Sequence, residues 1–129
     1  MFLVAEDDPD DQMFIHDVVR EVCPPELHLH IVDDGIELLD FLRDRLANST
    51  KPRLIILDLN MPRKNGREAL KDIKTNPELV DIPTVILTTS NREEDVEYCS
   101  RYGIAGYYRK SGPISEWREI FKKLCDDFL

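Results

Sequence analysis

Apolar and polar residues alternate in blocks along the chain, and these blocks predict a regular succession of strands and helices. Short continuous apolar runs predict buried strands at residues 2–5, 27–32, 54–57, 84–87 and 104–108. Apolar residues at helical spacing predict helices at residues 11–22, after Gly35, from 67 to about 75, at 92–102 and at 115–129. Five strand–helix pairs in succession predict an α/β fold, a doubly wound parallel sheet with helices on both faces.

The predicted helices differ in how clearly they mark a buried face. Apolar stripes run along the first and the last helix and comprise Phe14, Ile15, Val18, Val19 and Val22, and Trp117, Ile120, Phe121, Leu124 and Phe128. The fourth helix has a thin apolar side formed by Val96 and Cys99, and its charged start at residues 92–95 is predicted to be solvated. These stripes predict the helix faces that cover the sheet.

Length and composition narrow the class of protein. With 129 residues, 42% of them apolar and 33% charged, the chain predicts one folded domain over residues 1–129. Its 17 basic and 26 acidic residues give a net charge of −9, which disfavours binding to nucleic-acid backbones. The longest uninterrupted apolar stretch, residues 1–5, is too short to span a membrane, so no membrane partner is expected.

Cysteines and histidines give little sign of a metal site. Cys23, Cys99 and Cys125 are far apart in the sequence and form no Cys-x-x-Cys zinc motif. An odd number of scattered cysteines without a signal sequence predicts reduced thiols and a cytoplasmic location. His28 and His30 lie two residues apart on one predicted strand, but no third zinc ligand is evident.

Polar side chains that could bind a ligand or take part in a reaction follow four of the predicted strands. They are Glu6, Asp7 and Asp8, then Asp58 and Asn60, then Thr88, Thr89 and Ser90, and finally Lys110. The carboxyl ends of parallel strands meet at one edge of the sheet, where ligands bind in doubly wound folds. Neighbouring carboxylates need a compensating cation, and oxygen ligands suit Mg²⁺ or Mn²⁺. An aspartate beside such an ion, a hydroxyl and an ammonium group can attack a phosphoryl group.

Each of these residues also has a simpler explanation when it is taken alone. Asp8 is as well explained as the N-cap of the next helix. A lysine such as Lys110 is most often solvated, and Thr88 and Thr89 are typical of hydrogen-bonded loops. Their combination at the corresponding ends of four strands favours a shared site.

Four motifs carry a resemblance to a known family. They are Val4-Ala5-Glu6-Asp7-Asp8, Leu57-Asp58-Leu59-Asn60-Met61-Pro62 with Gly66 following, Pro83 through Leu87-Thr88-Thr89, and Gly106-Tyr107-Tyr108-Arg109-Lys110. In this order and spacing the chain resembles, end to end, the receiver domain of two-component response regulators. It looks most like small stand-alone receivers paired with phytochrome-type histidine kinases. The resemblance implies a CheY-like, flavodoxin-like sheet with strand order 2-1-3-4-5.

The resemblance also assigns an acceptor and a metal site. Asp58 matches the phosphoryl acceptor, and Asp7 matches the direct ligand of Mg²⁺ or Mn²⁺. Glu6 matches the acidic neighbour that holds the ion through water. Asn60 matches the position whose backbone carbonyl completes the metal site. The predicted chemistry is therefore phosphorylation of Asp58 with a divalent ion.

Further residues match the family's signalling machinery. Thr88 and Lys110 match the hydroxyl and the lysine that bind phosphoryl oxygens, and Tyr107 matches the aromatic ring that changes rotamer on activation. The positions that tune access to the acceptor are Asn60, Thr89 and Ser90. Thr89 stands where the family often has alanine.

One position departs from the family in a way that affects backbone geometry. Ser111 stands where the family usually has a proline after the lysine, in a cis peptide. A cis bond before a residue other than proline costs about 3–4 kcal/mol, so the Lys110–Ser111 bond is either trans or cis under strain. The approach of Lys110 to the acceptor therefore stays open at this point.

The resemblance implies a signalling protein rather than an enzyme with its own substrate. Its expected partner is a sensor histidine kinase or a histidine phosphotransfer protein. The expected output is protein–protein contact through the face of helix 4, strand 5 and helix 5, in a single-domain regulator. Homodimerisation through this face, with Tyr102, Ile104 and Tyr108, is also expected.

Three other classes remain as alternatives. A haloacid-dehalogenase-type phosphatase needs a second aspartate two positions after the nucleophile, where this chain has Asn60. A flavodoxin-like electron carrier needs a hydroxyl- and glycine-rich phosphate loop, where residues 6–11 are mainly acidic. An interaction scaffold that has lost phosphorylation would lack some acceptor or metal positions, and here every matched position is present.

Overall fold

Strands and helices alternate throughout the chain, and the computed structural model describes all of residues 1–129. The strands are β1 Phe2–Ala5, β2 Leu29–Val32, β3 Leu54–Leu57, β4 Thr84–Thr88 and β5 Gly106–Arg109. The helices are α1 Pro9–Val22, α2 Gly35–Ala47, α3 Gly66–Lys74, α4 Glu93–Arg101 and α5 Ile114–Phe128. All strand pairs are parallel, in the order β2-β1-β3-β4-β5. The doubly wound α/β fold and the strand order are confirmed.

The sheet separates two hydrophobic cores because alternate residues of a strand face opposite sides. On β1, Leu3 and Ala5 pack with side chains of α2, α3 and α4. Phe2 and Val4 face the other way and pack with side chains of α1 and α5. No helix has the length and apolar character that a membrane crossing requires.

Some element boundaries differ from the sequence prediction. Helix α1 begins at Pro9, two residues earlier than predicted, because proline suits the first turn and Asp8 caps it. The Asp8 carboxylate accepts a hydrogen bond of 2.9 Å from the backbone N–H of Asp10, which confirms the capping prediction. Strand β2 is shorter than predicted and starts at Leu29, whereas β5 runs later, over Gly106–Arg109. The edge strands β2 and β5 therefore differ most from their predicted bounds, whereas β4 differs by one residue, since it runs to Thr88.

Two side chains on the predicted apolar stripes are not buried. Phe14 on α1 is 48% exposed and Val96 on α4 is 37% exposed. The buried face of α1 consists instead of Ile15, Val18 and Val19. The Phe14 ring lies at the edge of that face, 6.1 Å from the ring of Trp117 on α5. The predicted apolar stripes therefore extend beyond the buried helix faces at these two residues.

Two of the three cysteines form a disulfide. Cys23 at the end of α1 and Cys125 on α5 are bonded, with their Cα atoms 6.0 Å apart. Cys99 is free and buried. The prediction of reduced thiols is wrong for the bonded pair, because α1 and α5 lie side by side on one face of the sheet. A sequence separation of 102 residues hides that proximity.

Candidate functional site

Three carboxylates meet at the carboxyl edge of the sheet, at the ends of the adjacent strands β1 and β3. Glu6, Asp7 and Asp58, here called the acidic cluster, each offer an oxygen atom, and these atoms lie within 4.8 Å of one another. Glu6 is 1% exposed and Asp58 is 6% exposed. Backbone bonds of the sheet continue into the cluster, since the Asp58 N–H donates to the Ala5 carbonyl at 3.1 Å. This arrangement could hold a divalent cation.

The ammonium group of Lys110 lies inside this acidic environment. Its Nζ donates to Asp58 Oδ2 at 2.8 Å, to Asp11 Oδ2 at 2.9 Å and to Glu6 Oε1. The Lys110 side chain is only 5% exposed. Burial lowers its pKa, but the hydrogen bonds to Asp58, Glu6 and Asp11 outweigh burial and raise the pKa above its ordinary value. Lys110 therefore carries a positive charge that partly neutralises the carboxylates.

Sequence reasoning missed Asp11 as a member of this arrangement. Asp11 lies in the first turn of α1, which follows the acidic cluster directly along the chain. Its carboxylate reaches Lys110 from the side of the helix, whereas Glu6 and Asp58 reach it from the sheet. The dense run of acidic residues at 6–11 was a signal, but it did not show which of them would face the lysine.

Glu6 has an unusual protonation equilibrium for a carboxyl group. Burial raises its pKa to about 7, although the hydrogen bond and charge of Lys110 act in the opposite direction. Its second oxygen accepts the backbone N–H of Asp8 at 3.1 Å. The Gln12 side chain donates to the Glu6 carbonyl at 2.6 Å and fixes the backbone there. Glu6 is therefore held in one position by both its side chain and its backbone.

The peptide bond after Lys110 answers a question that the sequence left open. The chain has no cis peptide bond, so the Lys110–Ser111 bond is trans. The backbone turns at Gly112, whose φ of 85° lies in the left-handed region that favours glycine. The Lys110 N–H donates to the Thr88 carbonyl at 2.7 Å, which extends the β4–β5 pairing by one residue. Lys110 thus reaches Asp58 without a cis bond.

Gly66, at the start of α3, lies against the backbone of Asp58 and Leu59. The Gly66 N–H donates to the Leu59 carbonyl at 3.0 Å. A Cβ atom on Gly66 would lie 2.0 Å from the Asp58 carbonyl oxygen. The Asp58 side chain accepts a 3.1 Å bond from the backbone N–H of Asn60, and Asn60 itself is exposed. Only glycine fits at position 66 without moving the loop between β3 and α3, here called the acceptor loop.

Replacing Gly66 with alanine should therefore destabilise the fold. The added methyl group meets backbone atoms, which cannot turn away as a side chain can, so we expect a loss of about 3 kcal/mol in the free energy of unfolding. Urea unfolding measures this loss. Gly103→Ala is the control, because Gly103 has a positive φ of 69° but no atom within 4 Å, so its cost should be only about 1 kcal/mol. Equal losses in the two variants would contradict the steric explanation.

The predicted switch residues, Thr88 and Tyr107, lie on the adjacent strands β4 and β5, and both contact Ser90. Thr88 is fully buried at the end of β4, and its hydroxyl oxygen accepts a long 3.4 Å bond from the Ser90 N–H. The Tyr107 hydroxyl donates to the Ser90 carbonyl at 2.9 Å, and its ring packs against the core on the α4 side of the sheet. Thr89 is exposed. Tyr107 is thus already turned toward the core in this structure.

An ion pair near these residues was not foreseen. Asp95 was predicted to be solvated, and that prediction is wrong, because the residue is 5% exposed. Its carboxylate binds the Arg67 guanidinium through two bonds of 2.6 and 2.7 Å and accepts a 2.5 Å bond from the Ser90 hydroxyl. Asp95 is four residues before the buried Cys99 on α4, so the helical period could have indicated that both share a face.

This ion pair predicts a dependence of stability on acidity. The hydrogen bond from Arg67 is the main reason that the pKa of Asp95 is held at about 2, below its usual value of 3.8. A lowered pKa stabilises the fold above the unfolded-state pKa, and the stabilisation is lost as the pH falls toward 2. Urea unfolding measures the free energy of unfolding of wild type and of Asp95→Asn. The difference between the two should therefore fall by about 1 kcal/mol when the pH is lowered from about 5 to about 3. Glu94→Gln is the control, because it removes the exposed ion pair with Arg92, and its difference from wild type in the free energy of unfolding should change little over this range.

The histidines form no comparable centre. The acidic cluster is the one group of three or more potential metal ligands in the chain. The His30 ring stacks on Phe41 with centroids 4.2 Å apart. Zinc binding by His28 and His30 therefore finds no third ligand in the structure.

Comparisons with known proteins show the family to which the chain belongs. A family model described as the response regulator receiver domain matches residues 2–122. The response regulator Rcp1 of Synechocystis is 37% identical over 95% of this chain and 82% of its own length. A probable methanogenesis regulatory protein of Methanothrix harundinacea, FilR2, is 41% identical over 74% of this chain and 63% of its own length.

Solved structures give the same answer. The phosphorylated cyanobacterial phytochrome response regulator RcpA superposes with a TM-score of 0.87 at 34% identity, over 98% of this chain and 91% of that one. The Mn²⁺-bound form of Rcp1 gives a TM-score of 0.80 at 33% identity, over 95% of this chain and 89% of that one. The resemblance to receivers of the phytochrome type is confirmed. The chain therefore belongs to the response regulator receiver family of two-component systems, whose members pair with histidine kinases.

Proposed function

We propose that this receiver domain accepts a phosphoryl group from a phosphohistidine onto Asp58, with a divalent cation in the acidic cluster. The observation that carries the proposal is the position of Asp58. It is buried beside two further carboxylates, and the Lys110 ammonium lies 2.8 Å from its Oδ2 atom. A carboxylate so placed is a nucleophile with a cationic partner already at hand.

The donor set fits Mg²⁺ or Mn²⁺ rather than a softer metal. Glu6, Asp7 and Asp58 supply oxygen atoms only, which suits a hard divalent cation. The backbone carbonyl of Asn60 is proposed as a further ligand. When bound, the ion would neutralise negative charge on the phosphoryl oxygens during transfer. The related protein Rcp1 has a solved Mn²⁺-bound form, which supports this choice.

The chain's own residues account for the transfer step. An Asp58 carboxylate oxygen attacks phosphorus, a new P–O bond forms, and the P–N bond of the phosphohistidine breaks with its electron pair going to the imidazole nitrogen. Lys110, which already contacts Asp58, would bind a phosphoryl oxygen. The buried Thr88 hydroxyl would bind another. Asn60, Thr89 and Ser90 would tune access to the acceptor.

The role is signalling rather than turnover of a small substrate. Two residues after the proposed nucleophile stands Asn60, whose amide cannot act as the general acid that a phosphatase of the haloacid-dehalogenase type needs. The partner is a sensor histidine kinase or a histidine phosphotransfer protein. The proposed output surface is the face of α4, β5 and α5, where Tyr102, Ile104 and Tyr108 are half-buried. Light scattering with and without phosphorylation tests whether this face also forms a homodimer.

Intact mass spectrometry tests the proposed function. Incubation with a small acyl-phosphate donor and Mg²⁺ should add one phosphoryl group to the wild-type protein. The Asp58→Asn variant should gain none, and wild type without Mg²⁺ should gain none in the same time. An Asp58→Asn protein that gains the phosphoryl group as readily as wild type would contradict the assignment of Asp58 as the acceptor.

A further inference from the structure

A second cluster of charged side chains lies next to the switch residues but outside the acidic cluster. Arg67, on the first turn of α3, binds the Asp95 carboxylate of α4 with Nε to Oδ1 and Nη2 to Oδ2 bonds of 2.6 and 2.7 Å. The side chains of Asp95 and Arg67 are 7% and 28% exposed, so solvent screens the pair little. A bidentate pair of this kind fixes the orientation of both side chains as well as their distance.

On one side, this pair holds the loop that follows β4, residues 89–92, here called the switch loop. The Ser90 hydroxyl donates to Asp95 Oδ2 at 2.5 Å. The same Ser90 accepts the Tyr107 hydroxyl on its carbonyl at 2.9 Å and donates its N–H to the Thr88 hydroxyl oxygen at 3.4 Å. The side chain of Ser90 is therefore anchored to Asp95 while its backbone contacts both switch residues.

On the other side, the pair reaches the acceptor loop. Arg67 Nη1 donates to the carbonyl of Leu59, the residue that follows Asp58, at 3.4 Å. The Tyr98 hydroxyl on α4 donates to the Arg67 carbonyl at 3.1 Å and joins the two helices a second time. A continuous set of contacts thus runs from the residue after the acceptor to Tyr107.

We propose that Arg67, Asp95 and Ser90 form a clamp that positions the switch loop and couples the state of Asp58 to the Tyr107 ring. The three are positioning residues, since none of them contacts the acidic cluster or Lys110. The coupling part of this inference rests on the proposed function of Asp58. A movement of residues 88–90 toward a phosphoryl group on Asp58 would have to strain or break the 2.5 Å bond between Ser90 and Asp95. The same movement would displace the Ser90 carbonyl, which accepts the hydrogen bond of the Tyr107 hydroxyl.

Helix α4 offers a matched control. Arg92 and Glu94 also form an ion pair, but their side chains are 68% and 74% exposed. The Glu94 carboxylate accepts a hydrogen bond from the side chain of Arg92. Only the backbone N–H of Arg92 contacts Ser90, which it reaches at 3.4 Å from the hydroxyl oxygen. Glu94→Gln therefore removes an acidic charge from the same helix while leaving the clamp intact.

The test uses fluorotyrosine NMR and amide hydrogen exchange on Ser90→Ala, Asp95→Asn and Glu94→Gln. The Tyr107 resonance is assigned with Tyr107→Phe. In the unphosphorylated protein, Ser90→Ala and Asp95→Asn should shift this resonance and speed exchange at residues 89–92 about tenfold, because a hydrogen bond to a charged group is lost. In protein phosphorylated to the same extent as wild type, as checked by intact mass, the change at Tyr107 should fall below half of the wild-type change. Glu94→Gln should match wild type throughout.

An unchanged Tyr107 resonance and unchanged exchange in Ser90→Ala would overturn the clamp. Ser90→Ala keeps the Arg67–Asp95 pair, so it decides the question even where Asp95→Asn fails to fold. A wild-type-sized response of Tyr107 to phosphorylation in Ser90→Ala would overturn the coupling. A wild-type protein that gains no phosphoryl group would overturn the proposed function instead, and the measurements on unphosphorylated protein would still decide whether the clamp positions the loop.

Discussion

Replacing Lys110 with methionine should slow the transfer of a phosphoryl group to the protein by about 100-fold, because one cationic donor to the transferring oxygens is removed. Methionine keeps much of the length and volume of the lysine stem but none of its charge. The structure places Lys110 Nζ within 2.9 Å of both Asp58 and Asp11, and no other lysine contacts the acidic cluster. Intact mass spectrometry over time, with an acyl-phosphate donor and Mg²⁺, gives the rate.

Lys122→Met provides the control for this variant. Lys122 is exposed on α5 and makes no ion pair, so the same substitution should leave the rate unchanged. Circular dichroism on both variants separates lost chemistry from lost folding. A Lys110→Met protein that is folded and still phosphorylated within about threefold of the wild-type rate would contradict the role of the ammonium group.

Reducing the Cys23–Cys125 disulfide should lower the free energy of unfolding by about 4 kcal/mol, since the bond closes a loop of roughly 100 residues in the unfolded chain. The sequence separation is 102, so the constraint covers most of the protein. For a domain of this size the loss corresponds to roughly 15 °C in Tm. Thermal unfolding with and without a reductant measures it.

The double variant Cys23→Ser/Cys125→Ser is the control for the reductant. It should unfold near the temperature of the reduced wild type and should show no further response to reduction. Alkylation of the unfolded, unreduced wild type should modify Cys99 alone. Modification of all three cysteines, or a Tm that ignores the reductant, would contradict the presence of the bond.

The central strands could be predicted from sequence almost residue by residue, and the edge strands could not. Strands β1 and β3 are fully buried, so their sequences are continuous apolar runs with sharp ends. Strand β2 lies at an edge, contains His30 and is only partly buried, so its start was predicted two residues too early. The order of the strands followed from the family resemblance, because hydrophobic periodicity does not encode which strands are neighbours.

The candidate site was predictable to the extent that it lies at strand ends. Glu6, Asp58 and Lys110 each follow a strand directly, and a parallel sheet brings such positions together. Contacts made by helices were not predictable in the same way. Asp11 and Asp95 are acidic residues in the first turns of α1 and α4, where solvation is the ordinary expectation, and only the packing of neighbouring elements shows that each meets a cation.

The most direct test of the central claim is to locate the phosphoryl group within the chain. An aspartyl phosphate is reduced by borohydride to homoserine, which marks the acceptor permanently for peptide mapping. After incubation with the acyl-phosphate donor and Mg²⁺, we expect homoserine at position 58, with Asp7 and Asp11 unchanged. Homoserine at Asp7 or Asp11 with Asp58 intact would contradict it.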